Sequence, residues 1–238
     1  MKRFVVYPLA LLLSACANLA TKSYDLSQEL ANLTNSNSLA CRFEKQTTGQ
    51  NTSSKSSWFF WRQPTRTETR DELSNQGEIW EKNQSGQLFY TRLFFNERVA
   101  LEFVPGDLAA MDTAPSWQQL RTIIDTSTLG KSLALVNQNQ SGKLTIESYT
   151  GTVNNVATEV EWLPALQLPA RVLKKLPEGT VTLTLTECGD EAKLAVKPIT
   201  KAEFDKLRHL DYTDFGDMEE DPMVRHLEQL MGGHHHDH

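Results

Sequence analysis

From Leu39 onward the apolar positions recur every second residue, the period of strands that bury one face and wet the other. Leu39, Cys41 and Phe43 share one side of such a strand, and Arg42 and Glu44 the other. Trp58-Phe59-Phe60-Trp61 is a dense aromatic strand that stops at Arg62-Gln63-Pro64. Residues 66–72 alternate charge with threonine and predict a solvated strand. Two polar breaks, Asn83-Gln84-Ser85-Gly86 and Asn139-Gln140-Ser141-Gly142, each separate apolar runs and predict hairpins. In 180–186 threonine alternates strictly with Val or Leu. That pattern belongs to an antiparallel sheet with one solvated face.

A period near 3.6 appears in four places. Leu26, Leu30 and Leu33 line one helical face, with Asp25 as N-cap and Gln28 at capping-box spacing. Ser116 caps a second helix with Trp117, Leu120, Ile123 and Ile124 along one side. Ala202 to Leu210 predicts a short helix carrying Phe204 and Leu207, and Pro222 opens another that runs to Met231 and exposes Met223, Leu227 and Leu230. Up to the tail the count is about eight to eleven strands with two or three helices: an α+β protein built on a single curved, mostly antiparallel sheet.

The N-terminus follows a different logic. Lys2 and Arg3 precede an apolar run from Phe4 to Leu13, which is too short to span a bilayer core of roughly 30 Å. The run ends in Leu13-Ser14-Ala15-Cys16, which resembles the lipobox of bacterial lipoprotein signal peptides. The resemblance implies cleavage before Cys16, diacylglycerol on its sulfur and acylation of the new N-terminus. With about 0.8 kcal/mol for each buried CH₂, several chains on one residue anchor almost permanently. Ala17 stands where an inner-membrane retention signal would place Asp. By resemblance this points to the outer membrane, with the body of the protein facing the periplasm.

The expected organisation is therefore a signal peptide over 1–15, a lipidated tether over 16–24, a sheet domain over 25–199 and an acidic tail over 200–238. Without residues 1–15 the chain keeps 22 basic and 30 acidic residues, a balance of −8. Such a surface disfavours nucleic acid, whose phosphates need a basic stripe, and leaves membrane attachment to the lipid. With Cys16 acylated, Cys41 and Cys188 remain as one pair for a disulfide in an oxidising compartment; two separate buried thiols are the alternative.

The order of features resembles the LolA/LolB-like fold of periplasmic lipoprotein carriers. In that family an amphipathic helix leads into a strand ending in Phe-x-Gln; here Leu26, Leu30 and Leu33 precede Phe43-Glu44-Lys45-Gln46, with one residue more. An aromatic strand running into Arg-Pro corresponds to Trp58 through Pro64, again with one inserted residue. The segment from Trp162 to Val172, with its two Leu-Pro steps, leads into the last strand as the family's Trp/Pro segment does. The resemblance covers roughly residues 25–190 and leaves out the acidic tail. It implies a half-barrel enclosing an apolar concavity closed by helices, with room for a lipid or acyl chain. Candidate lining residues are Phe59, Trp61, Trp80, Phe89, Leu93, Phe95, Trp117, Ile123 and Trp162. Packing into a solid core is the alternative for each.

No catalytic pattern is present: no Gly-x-Ser-x-Gly elbow, no His-Glu-x-x-His and no phosphate-cradling glycine loop, and the first histidine is His209. Carboxylates on the predicted strands read as solvated. From Glu203 to His238 the tail holds ten acidic residues against three basic ones, as an interaction segment or a strap over the sheet. His234, His235, His236 and His238 form a cluster whose imidazoles suit Zn²⁺, Ni²⁺ or Cu²⁺, with Asp217, Asp221 and His226 as further ligands if the tail folds back. Three functions follow as expectations: a non-enzymatic, lipid-anchored envelope protein that binds a lipid or acyl chain; a metal-buffering or metal-sensing lipoprotein acting through its His-rich end; or a structural module whose acidic tail meets an envelope partner.

Overall fold

The computed structural model describes residues 37–111, 114–141, 143–189, 194–218 and 220–231. The signal peptide, Cys16, the helix expected over 25–33 and the histidines at 234–238 lie outside these residues. Two antiparallel meanders make up the sheet. The first comprises β1 (Leu39–Gly49), β2 (Ser53–Arg62), β3 (Arg66–Asp71), β4 (Gln76–Lys82), β5 (Leu88–Phe94) and β6 (Val99–Phe103). The second comprises β7 (Leu133–Ser141), β8 (Leu144–Val153), β9 (Val156–Leu163), β10 (Leu168–Leu176) and β11 (Gly179–Gly189). Pairing of β1 with β11 fuses them, and β12 (Arg208–Asp211) adds to β6 in parallel, giving one sheet in the order β12-β6-β5-β4-β3-β2-β1-β11-β10-β9-β8-β7. The result is an open, curved, mostly antiparallel half-barrel with short helices, the α+β class read from the sequence.

Helices α1 (Pro105–Met111) and α2 (Trp117–Thr122), then a 3-10 turn at Thr126–Thr128, connect the two meanders. After β11 come α3 (Lys201–Phe204), α4 (Tyr212–Asp217) and α5 (Pro222–Leu230). None of the described helices is long and apolar enough to cross a membrane. The first polar break forms the β4–β5 hairpin; of the second, Asn139, Gln140 and Ser141 belong to β7 and pair with β8, so that connection is shorter than the sequence predicted. Asn154 and Asn155, at φ 50° and 62°, join β8 to β9 as a two-residue turn, with the side chain best suited after glycine to that left-handed backbone.

Alternation assigns the sheet two faces. Leu39, Cys41, Phe43, Trp58, Phe60, Trp80, Tyr90 and Phe94 look toward the helices. Ala40, Phe59, Trp61, Ile79, Leu93 and Ala100 look the other way, where a strap over 194–207 covers them with Leu194, Val196, Ile199, Phe204 and Leu207. The first meander is thus buried on both sides. This explains why Thr67 and Glu68, expected on a solvated strand, are each only 2 % exposed. Their strand is central, not marginal, and the strap, which has little apolar periodicity of its own, hides the second face.

Two further expectations change in the tail. Residues 208–211 form β12 instead of continuing a helix, because the free edge of β6 offers them a ladder from Val99 to Glu102. In α5 the buried residues are Val224 and Leu227, while Leu230 is exposed. The helix is rotated so that its deepest side chains join Trp80, Phe94, Leu101, Leu108, Leu210 and Phe215 in one cluster.

Strand direction also defines two rims. Leu39, Arg62, Leu88, Phe103, Leu163 and Leu168 end or begin their strands on the near rim, where the described chain enters β1. The turns at 50–52, 72–75, 95–98, 154–155 and 177–178 lie on the far rim.

Candidate functional site

On the helix-bearing face, the β4–β6 side is filled by α1, α2, α4 and α5. The β7–β10 side is not. Here a hollow of about 460 Å³ remains between the sheet and the chain that leaves α2. Its floor is aliphatic: Leu133 of β7, Val160 of β9 and Val172 of β10. Ile123 and Ile124 form the opposite wall. Val153, Asn154, Val156 and Leu176 line its end at the far rim, and Asp125 and Lys174 also line it. The one hydroxyl of the floor, on Thr158, donates to the carbonyl of Val156. Gln119, Asp125, Thr128, Asn154 and Lys174 add polar groups to the lining, so the hollow is aliphatic along its sheet floor and mixed around it.

The wall is held by local chemistry. The Ser116 hydroxyl caps α2 by accepting from the Gln119 amide, as the sequence predicted. The helix ends at Ile123, whose φ of 67° is an outlier for a β-branched residue. Thr122, fully buried, holds this bend with one hydroxyl proton shared between the carbonyls of Gln118 and Ile124, each 2.7 Å from Oγ1. The break is what turns Ile123 and Ile124 toward the sheet: Ile123 packs against the cluster that includes Phe43 and Phe60, and Ile124 against the one that includes Leu133 and Val160.

Arg62 fastens this wall. Only 4 % exposed, it donates through Nη1 to the carbonyls of Arg121 (2.9 Å) and Gln167 (3.3 Å), and through Nη2 to that of Leu166 (2.8 Å). Arg121 returns the contact by donating from Nη1 to the carbonyl of Gln63 at 2.6 Å. Burial, and secondly the charge of Arg121, lower the Arg62 pKa to about 10, so the guanidinium stays protonated at neutral pH. One cation thus ties the end of β2, the end of α2 and the β9–β10 turn together.

A second buried charge sits on the opposite face. Glu68 accepts from Arg66 at 2.8 Å and from the backbone N–H of Ile199 at 2.8 Å, holding the strap to β3. Burial raises its pKa, and the Arg66 and Ile199 hydrogen bonds oppose that shift. A carboxyl with a raised folded pKa binds more protons folded than unfolded. Stability therefore falls as pH rises from the unfolded value through the folded one. Urea titrations across this acid window are expected to show that decline in the wild type and to show it flattened in Glu68→Gln, whose amide oxygen still accepts from Ile199.

Of the nine aromatic and aliphatic candidates, Ile123 alone lines the hollow. Phe59 and Trp61 face the strap, as do Leu93 and Phe95. Trp80 and Trp117 pack in the helix-filled cluster, and Phe89 is 37 % exposed. Trp162 belongs to the floor's cluster without reaching its surface. The largest side chains fill space; the hollow persists where the residues are small. Val156, Thr158 and Val160 alternate along β9 and carried that signal in the sequence. Arg62 carried one too, as a cation closing an aromatic strand.

Cys41 and Cys188 stand directly opposite on β1 and β11, 4.0 Å apart at Cα, and are joined as a disulfide. Among the described residues no three His, Cys, Asp or Glu side chains are grouped to hold a metal ion. Asp221 instead caps α5 and pairs with Arg208, and His226 lies 3.4 Å from Glu97.

No known family model and no curated protein matches the chain. Among solved structures it is similar to PNGF-II, at 11 % identity and a TM-score of 0.42, over 79 % of this chain and 33 % of that one. The chain thus spans about a third of PNGF-II. It is also similar to the MucA/MucB complex of Pseudomonas aeruginosa, at 14 % identity and a TM-score of 0.37, over 76 % of this chain and 59 % of the other. A third similarity is to an outer membrane lipoprotein-sorting protein domain from Vibrio parahaemolyticus, at 8 % identity and a TM-score of 0.34, over 77 % and 96 % of the two chains.

Proposed function

We propose that the protein is a non-enzymatic binding protein of the bacterial envelope, held to the outer membrane by lipid on Cys16, that shelters a lipid acyl chain in the hollow over β7–β10. The observation that carries this reading is a cavity of about 460 Å³ with an aliphatic floor of Leu133, Val160 and Val172, left open on a face whose other half is filled. Its size falls in the range of about 300–1,000 Å³ typical of small-ligand sites. An acyl chain needs no hydrogen bonds, and this floor offers almost none. Each methylene withdrawn from water contributes about 0.8 kcal/mol, so binding and release require differences in burial and no bond chemistry. Lys174 and Asp125 in the lining supply charges for a polar headgroup.

The test is lipid extraction and native mass spectrometry of protein purified from membranes, for the wild type and for Val160→Trp. Indole in place of the valine fills the floor. Co-purifying acyl lipid is expected to fall about tenfold or more, equivalent to at least 1.4 kcal/mol of lost binding. Wild-type protein without acyl lipid, or equal lipid in both, would sink the reading. The anchor has its own readout: the N-terminal peptide should begin at Cys16 and carry the mass of diacylglycerol plus an amide-linked acyl chain.

A further inference from the structure

We infer that the hollow over β7–β10 selects an acyl ligand whose headgroup carries an anionic oxygen group, a carboxylate or a phosphate, and that Lys174 is the residue that binds this group. The inference rests on the acyl-binding reading above and adds to it the class of headgroup.

Lys174 lines the hollow from β10, two residues from Val172 and two from Leu176, on the face that also carries Val160. Alternation separates it from the other cations of its strand. Arg171 and Lys175 point to the opposite face, where both pair with Glu159, at 3.7 and 2.7 Å. Elsewhere on the sheet Lys45 pairs with Asp71 and Lys55 with Glu44. Among the described residues the Lys174 ammonium has no ion-pair or hydrogen-bond partner.

The sheet around it accounts for that. Thr158 stands opposite Lys174 on β9 and Val181 on β11. The next positions on that face are Val156 and Val160 of β9 and Leu183 of β11, so no neighbouring strand offers it a carboxylate. The acid of the lining is Asp125, and its carboxylate is engaged elsewhere. It caps the 3-10 turn by accepting from the Ser127 amide at 2.9 Å, and it does not pair with Lys174. The hollow thus holds, beside an aliphatic floor, a cation that the protein's own side chains leave unmatched.

Such a cation discriminates among headgroups. An ammonium offers three N–H donors, and its hydrogen bonds to an oxyanion are roughly twice as strong as neutral ones. It repels a cationic headgroup and gives a hydroxyl only a single weaker contact. The chain carries a net charge of −6, so its long-range field holds anions off, and selection for one has to be made at contact. Lys174 supplies that contact. Because it is exposed, water screens the pair, and the expected preference is about threefold to fivefold.

The test compares three ligands that share one acyl chain: oleate, oleoyl-lysophosphatidylglycerol and uncharged mono-oleoylglycerol. Each is tritiated and partitioned at equilibrium between phosphatidylcholine vesicles that bear the full chain, purified from membranes, and bare ones. Alkaline buffer keeps the oleate ionised. Wild type is expected to favour one or both anionic ligands over mono-oleoylglycerol about threefold to fivefold, with the preference shrinking as salt rises. Lys174→Met should lose that preference while still retaining mono-oleoylglycerol, and Lys174→Arg should keep it. A preference confined to oleate makes the carboxylate the group that is read; one confined to the lysophospholipid makes it the phosphate. An equal preference in wild type and Lys174→Met, or none in the wild type, overturns the headgroup assignment and leaves the acyl reading standing. Retention of no ligand above bare vesicles overturns the acyl reading, and the headgroup assignment falls with it.

Discussion

Replacing Cys41 and Cys188 together by alanine is expected to lower the free energy of unfolding by about 5 kcal/mol, on the loop-closure entropy of a span this long. The bond closes 147 residues, nearly the whole sheet, and joins the two meanders at the one place where they pair. Without it the unfolded chain regains the freedom to separate its ends. The folded state must then hold β1 against β11 by hydrogen bonds and by the packing of Phe43 and Leu185 alone. Urea denaturation of the oxidised wild type, the reduced wild type and the double variant measures the effect. Agreement between reduced wild type and variant separates the missing link from the altered side chains. A loss below about 1 kcal/mol would mean that the unfolded ensemble already keeps these strands together.

The second large effect concerns Arg62. Arg62→Met keeps the aliphatic stem but removes the donors that reach Arg121, Leu166 and Gln167. A hydrogen bond to a charged group contributes about 1.5–3 kcal/mol, and buried carbonyls left without donors add their own desolvation cost. A net loss of about 3 kcal/mol follows, discounted because the methionine spares the cost of burying a charge. Arg62→Lys should recover less than half of it, since an ammonium cannot span three carbonyls as a planar fork does. The diagnostic readout is local. Hydrogen exchange is expected to rise at 117–128 and 164–168 well before the β1–β11 pairing loosens. Uniform exchange across the sheet would show that Arg62 supports the fold at large and not the wall of the hollow.

The strands and hairpins were legible because their periodicity is local, and so was the helix at Ser116. What lay beyond the sequence depended on partners far along the chain. Glu68 reads as a solvated carboxylate until the strap places Ile199 against it, 131 residues away. Residues 208–211 look helical until β6 presents an unpaired edge. The hollow was sought among aromatics because they bury the most area, yet those rings saturate the first meander. Trp58 stacks on Phe60, Phe59 on Trp61 and Trp80 on Tyr90. Space remains over β9 and β10, where Val160 and Val172 are too small to close it. Size, more than hydrophobicity, was the informative property, and it becomes so only once the facing element is known.

The pairing of β1 with β11, and of β6 with β12, also sets a schedule. The first strand pairs with β2 at once but cannot find its second neighbour until residues near 188 exist, and the last cluster waits for Val224 and Leu227. Nine of the eleven pairings in the described sheet join consecutive strands, but the closure of β1 on β11 spans most of the sequence, and contacts that distant form slowly. In the export proposed above, that late closure keeps the two cysteines apart until the chain has crossed, so that they meet where oxidation can join them.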